Sequence, residues 1–373
     1  NMSDPYVKIT QDFEAACQDP HKIPGAILAA IDRNGKLLIH ASAGTRQVGG
    51  SELMDKDALC WMASCTKLIT AIACMQLVEQ NKLQLDKPIS QVLSEISDLE
   101  QYTKTKTTLR HLLSHTSGQS YPFFNHDTEK WFKEKGLTSF GCSRASLFAP
   151  LNAEPGTKWE YGSSIDWAGT AVERISGLSL DAYFKKFIFE PCGIKNMTLL
   201  PQSGVPGGVK KTLAGMNFKE NGKVRPMEHV IEQDESKMEV LYGGAGAYGN
   251  AAEYLQIIAA LMNEGTHPIT KKSILKPETY RELMKDQLHD KNLTKGLYGV
   301  IPAAQPELTN PVTIMDGADK NWSFAGCKLP GGDVNFVWWA GIANHYWFMD
   351  ADNGVGAIIQ CQIFPFFDGD VLG

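Results

Sequence analysis

A serine three residues ahead of a lysine, Ser64-Cys-Thr-Lys67, stands just before Leu68, Ile72, Met75 and Val78, apolar residues that recur at helical spacing. With Ser64 at the start of that helix, residue 67 lies one turn on and on the same face, within reach of the hydroxyl. The chemistry this suits is nucleophilic attack. A serine hydroxyl is a weak nucleophile until a base takes its proton, and a buried lysine with a lowered pKa is such a base. The helix N-terminus also favours negative charge developing on the oxygen. Taken alone, the tetrapeptide equally fits an N-cap serine beside a solvated lysine. Ser273-Ile-Leu-Lys276 has the same spacing but meets Pro277, so no helix continues to fix the pair.

A tyrosine near such a pair adds a proton carrier. Two segments offer one: Tyr161-Gly-Ser163, preceded by Pro155-Gly-Thr-Lys-Trp159, and Tyr248-Gly-Asn250. A phenol facing Lys67 would be held partly ionised by the cation, so it could take the Ser64 proton and later return it to a leaving alcohol. Either tyrosine also fits an ordinary buried, hydrogen-bonded phenol. In Trp338-Trp-Ala-Gly341-Ile-Ala-Asn344 the glycine would let a substrate carbonyl approach backbone amides, or would mark a strand bulge. Other motifs lead nowhere. Gly244-Ala-Gly-Ala-Tyr-Gly249 fits a dinucleotide fingerprint but lacks the following strand and acidic residue. His111 and His115 are spaced i, i+4 without the glutamate of a zinc helix, and no serine has the surroundings of an α/β-hydrolase elbow.

The elements that must position these residues come from both chain ends. Asn34-Gly35 between apolar runs predicts a hairpin over 26–32 and 36–42, and 334–340, 344–350 and 355–363 read as three further strands. Helices are expected over 6–18, 166–175, 180–187 and 251–262. The expectation is a sheet domain from residues 1–80 and 250–373, an inserted and mainly helical domain over 81–249, and the active site between them. The 373 residues carry 36 basic and 42 acidic side chains, a net charge of −6, with no basic cluster suited to nucleic acid. No apolar run is long enough for a membrane helix, and no secretory signal pattern is seen. Eight scattered cysteines without a CxxC pair read as reduced thiols of a cytoplasmic protein.

In order along the chain these pieces resemble the serine β-lactamase and penicillin-binding-protein superfamily, in particular its class C and family VIII carboxylesterase branch. The shared features are SxxK at Ser64 to Lys67, Tyr-x-Ser at Tyr161, ArgHisLeuLeuSerHisThrSerGly at 110–118, GluProCysGlyIle at 190–194 and GlyAlaGlyAlaTyr at 244–248. TyrGlySerSerIleAspTrpAlaGly at 161–169 and Gly-x-x-Asn-x-x-Trp at 341–347 are most similar to fungal acyltransferases of the lovastatin type and related esterases. Where β-lactamases carry Lys-Thr-Gly, this chain has Trp339-Ala-Gly341, without a cation for a β-lactam carboxylate.

The resemblance implies an α+β fold of the β-lactamase/transpeptidase type, an antiparallel sheet flanked by helices. It implies an acyl-enzyme on Ser64 with Lys67 and Tyr161 handling the proton, and an oxyanion hole from the amides of Ser64 and Ile342. By the family layout, Tyr121, Phe124, Tyr248, Trp339, Gly341 and Trp347 bind substrate, with Trp131-Phe132 and Phe364 to Phe367 also facing the pocket. The expected substrate is a lipophilic, polyketide-like ester whose acyl group passes to water, an alcohol or an acyl carrier, without metal or organic cofactor. The alternatives are a β-lactamase or peptidase of the same superfamily, or a silent binding protein on this fold.

Overall fold

The computed structural model describes residues 4–314, 319–329 and 335–373. Gly25–Asp32 and Leu37–Gly44 form the expected hairpin, closed where Asp32 accepts hydrogen bonds from the Asn34 and Lys36 amides and Gly35 takes a positive φ of 81°. Phe336–Gly341, His345–Asp350 and Val355–Gln360 follow at the other end. They join in a seven-stranded antiparallel sheet, ordered Leu37–Gly44, Gly25–Asp32, Val355–Gln360, His345–Asp350, Phe336–Gly341, Cys327–Lys328 and Asn321–Trp322. Side chains alternate across its faces. Trp339 pairs with Trp347 on the inner face, and Trp338 pairs with Phe348 on the outer one.

The helix Thr66–Glu79 departs from the expected single apolar stripe, since every residue from Thr66 to Leu77 is buried. An element apolar on all sides belongs in the centre of a protein. It packs against Ser164–Ser176 and Leu180–Phe184, and the helix Ala251–Met262 lies against the inner strands. The segment 81–249 also contains one hairpin that the reading as helices and loops omits. Met216–Glu220 pairs with Lys223–Met227 around Asn221-Gly222, the same turn signal as Asn34-Gly35, and Ile363–Phe364 adds a third strand. Tyr248–Gly249 pairs antiparallel with Cys60–Trp61, so the glycine run sits in no βαβ unit. No helix among the described residues is long and apolar enough to cross a membrane.

Candidate active site

Between Ala58 and Leu77 only Ser64 keeps appreciable exposure. It lies in a 3₁₀ turn, Ala63–Cys65, that runs directly into the helix Thr66–Glu79. Ala63 is held at φ 47°, a left-handed conformation that a non-glycine residue keeps only when its surroundings enforce it. The enforcement comes from segment 243–247. Met62 N–H donates to Ala247 O (2.7 Å), Trp61 Nε1 to Ala245 O (2.7 Å), Ala247 N–H to Thr66 Oγ1 (3.0 Å) and Thr70 Oγ1 to Gly243 O (2.6 Å).

The same stitching aims Gly244 O at the lysine. Lys67 Nζ donates to Ser64 Oγ (3.0 Å), Tyr121 Oη (2.8 Å) and Gly244 O (2.7 Å), using all three ammonium protons. Asp166, on the helix Ser164–Ser176, accepts the Gly244 N–H at 2.8 Å. Gly244 cannot carry a side chain. A Cβ there would stand 2.9 Å from Asp166 Oδ1, 3.3 Å from Tyr121 Oη and 3.4 Å from Lys67 Nζ, inside the polar cluster.

Burial drives the Lys67 ammonium well below the ordinary lysine range, and the Asp166 charge pulls it part of the way back. Burial likewise raises Asp166, against the attraction of Lys67 and the Gly244 N–H. Tyr161 differs from the expectation of a phenol ionised by Lys67. The ammonium lies over its ring, 4.8 Å from the centroid, and not at its oxygen. Burial pushes the phenol above its usual range, and hydrogen bonds from Ser64 and the Trp339 indole pull the other way. The indole bond, Trp339 Nε1 to Tyr161 Oη, is 3.0 Å long.

The sequence profile of the Beta-lactamase family matches residues 10–371. The chain belongs to the Beta-lactamase family. It is 30% identical to the ML-236A carboxylate methylbutanoyltransferase of Penicillium citrinum over 96% of this chain and 90% of that protein. It is 28% identical to a lovastatin esterase of Penicillium rubens over 96% and 94%. A mutant of simvastatin synthase from Aspergillus terreus superposes with a TM-score of 0.81 at 26% identity, covering 99% of this chain and 92% of that one. The expected fold, and the expected esterase or acyltransferase class, both hold.

Trp339 lies on the inner face, and its N–H is taken by Tyr161. Phe124, Trp339, Trp347 and Ile342 line a cavity of about 490 Å³ that also reaches Ser64 and Tyr161. Its walls are mostly apolar and come from both sheet faces, with Trp338 and Phe348 on the outer side. Among the described residues, neither the Ser64 nor the Ile342 amide donates to another backbone group.

Three expected substrate contacts lie elsewhere. Tyr121 stands behind Lys67, stacked on Phe123 with ring centroids 4.6 Å apart, because its hydroxyl is drawn to the ammonium. Tyr248 is wholly buried beside Trp61, since strand pairing turns it into the core and not toward the cavity. Gly341 is not a bulge. It pairs regularly with His345, and a Cβ there would come within 2.7 Å of Met62 O, so it lets the strand pack on the Ser64 turn. Trp131, Phe132 and Phe364 pack away from the cavity, whereas Phe366 and Phe367 line it.

His111 closes a capping box with Thr108, as a structural histidine would, while His115 packs its ring 4.7 Å from that of Tyr161. Asp166, Gly244 and Trp322, whose ring meets Trp339 edge-on at 4.6 Å, received no role from sequence. For Asp166 the available signal was a lone carboxylate in the otherwise uncharged run SerSerIleAspTrpAlaGly.

Proposed function

We propose that Ser64 is the nucleophile of an acyl-enzyme mechanism acting on lipophilic carboxylic esters. The observation that carries this is the 3.0 Å contact between Lys67 Nζ and Ser64, the one residue of a buried turn that keeps partial exposure. In its neutral form Lys67 takes the Ser64 proton as Oγ attacks the ester carbonyl. The Ser64 and Ile342 amides, uncommitted to other backbone groups, receive the developing oxyanion. Tyr161, which burial keeps protonated, delivers its proton to the departing alkoxide, and the Trp339 N–H supports the phenolate left behind. Deacylation runs in reverse. Water or an acceptor alcohol gives its proton to Tyr161 and attacks the acyl carbon, and Lys67 returns its proton to Ser64.

The apolar cavity supports a hydrophobic acyl or polyketide-like group, the chemistry in the names of the fungal relatives. An acyl carrier or a small alcohol ester serves as donor in this reading. All eight cysteines are free and buried, which supports action in a reducing compartment such as the cytoplasm. The test is mass spectrometry after a serine-reactive phosphonate, with kcat/KM for p-nitrophenyl esters set against nitrocefin. A single adduct on Ser64, absent in Ser64→Ala, and a higher value on the esters are expected. Labelling unchanged in Ser64→Ala overturns the nucleophile, and faster nitrocefin turnover restores the β-lactamase alternative.

A further inference from the structure

We propose that Asp166 is the positioning residue for Lys67: a buried counter-charge, held in place by the Gly244 amide, that sets when the lysine gives up its proton. This deepens the acyl-serine reading and rests on it.

Geometry carries the case. Asp166 is 3% exposed, and its one hydrogen bond to the backbone across the domain comes from Gly244 N–H at 2.8 Å, while Lys67 Nζ donates to Gly244 O at 2.7 Å. The carboxylate and ammonium form no direct ion pair. One glycine stands between them, and the space where its Cβ would be is bounded by both groups. A buried carboxylate is costly to retain without a matching cation, and Lys67 is the cation facing this one.

The other titratable groups around the pair are uncharged. From the Ser64 turn comes Cys65, and from segment 115–121 come His115 and Tyr121. Cys142 and Tyr242 face the Asp166 side, and Tyr161 faces Lys67. Burial raises both thiols and all three phenols and lowers His115, so each is held neutral. Within this shell of described residues the only charges are the ammonium of Lys67 and the carboxylate of Asp166. The carboxylate therefore decides how readily the lysine takes the Ser64 proton, and it stabilises the ammonium formed when that happens.

The experiment measures the rate of Ser64 phosphonylation against pH in the wild type and in Asp166→Asn. Asparagine keeps the Oδ1 acceptor for Gly244 N–H, removes the charge and replaces the second oxygen with an NH2 donor of nearly the same size. The acid limb of the wild-type profile should move to lower pH by about 1–3 units, the usual effect of an opposite charge at this range, and the plateau should fall. A lower plateau with the limb unmoved, or a limb that moves upward, overturns the inference and leaves Asp166 merely structural. If the wild type takes no phosphonate at any pH, the acyl-serine reading itself has failed.

A second measurement needs no activity. In Lys67→Met the carboxylate is buried without its cation, and its folded-state pKa then stands further above the unfolded value. Melting temperature should therefore fall as pH rises from 5 to 8, and the double variant Lys67→Met, Asp166→Asn should lose that slope. A slope that persists in the double variant also overturns the inference.

Discussion

At the scale of single residues, the catalytic cluster is a proton inventory. Three ammonium protons have three acceptors, and the acceptor that can react is the Ser64 hydroxyl. Lys67 must shed a proton before it can act as a base, and burial places that event well below the usual lysine pKa of 10.5. Activity should therefore rise through neutral pH along an acid limb, while the raised Tyr161 phenol keeps any alkaline fall above its ordinary value of 10.0. A kcat/KM profile on a soluble acetyl ester reads both limbs. Trp339→Phe keeps the aromatic wall and deletes the N–H that meets Tyr161. Loss of a hydrogen bond to a charged group costs about 1.5–3 kcal/mol, so kcat should drop roughly 10- to 100-fold with KM little changed. A KM effect alone would instead mark Trp339 as a substrate contact.

Among the elements, the strand Phe336–Gly341 and the Ser64 turn are fitted to each other through a missing side chain. A Cβ on Gly341 would stand 2.7 Å from Met62 O, a backbone atom unable to move aside. Gly341→Ala should force strand and turn apart, cost about 1–3 kcal/mol of stability as overpacking does, and remove most esterase activity. Gly369→Ala, where a Cβ meets nothing, is the control and should change neither melting temperature nor turnover. The segment 243–247 works the same way on the other side, since its amides and carbonyls fix both the strained Ala63 and the carbonyl that Lys67 needs.

Across the whole molecule, one wall of the cavity comes from residues 366–372. Phe366, Phe367, Val371 and Leu372 line it. Their segment is tied down by Asn344 Nδ2 donating to Pro365 O (2.9 Å), by Asp368 N–H donating to Asn344 Oδ1 (3.0 Å), and by Lys219 paired with Asp368 (2.7 Å) and Asp370 (3.0 Å). Lys219→Met leaves the buried Asp368 charge uncompensated, a loss of about 3–5 kcal/mol in fully buried pairs. The tail should loosen before the core does. Medium-chain p-nitrophenyl esters should lose about tenfold in kcat/KM relative to acetyl, one buried methylene or two of contact. An unchanged ratio would show that the tail does not shape the acyl site.

Five of the seven strands of the main sheet, the helices 164–176 and 251–262, the SxxK pair and the fold family were legible in the sequence, because turn chemistry and hydrophobic period are local properties. The two-residue strands at 321–322 and 327–328 are too short to leave a periodic signal. Asn34-Gly35 and the alternation in His345–Asp350 needed no knowledge of neighbours. The sequence also carried the Ser64 and Lys67 contact, which one turn of helix brings about. Tertiary structure alone decided the rest of the cluster. Asp166 stands 99 residues from Lys67 and Gly244 another 78 beyond, so nothing local links a carboxylate, a glycine carbonyl and an ammonium until the helix Ser164–Ser176 and the glycine turn pack on the same buried helix. Residue type shows what Tyr121 and Tyr248 can do and not which way they face, and it does not show what lies against Gly341. Packing turned the first to the ammonium and the second into the core, and it gave the third to a neighbouring carbonyl.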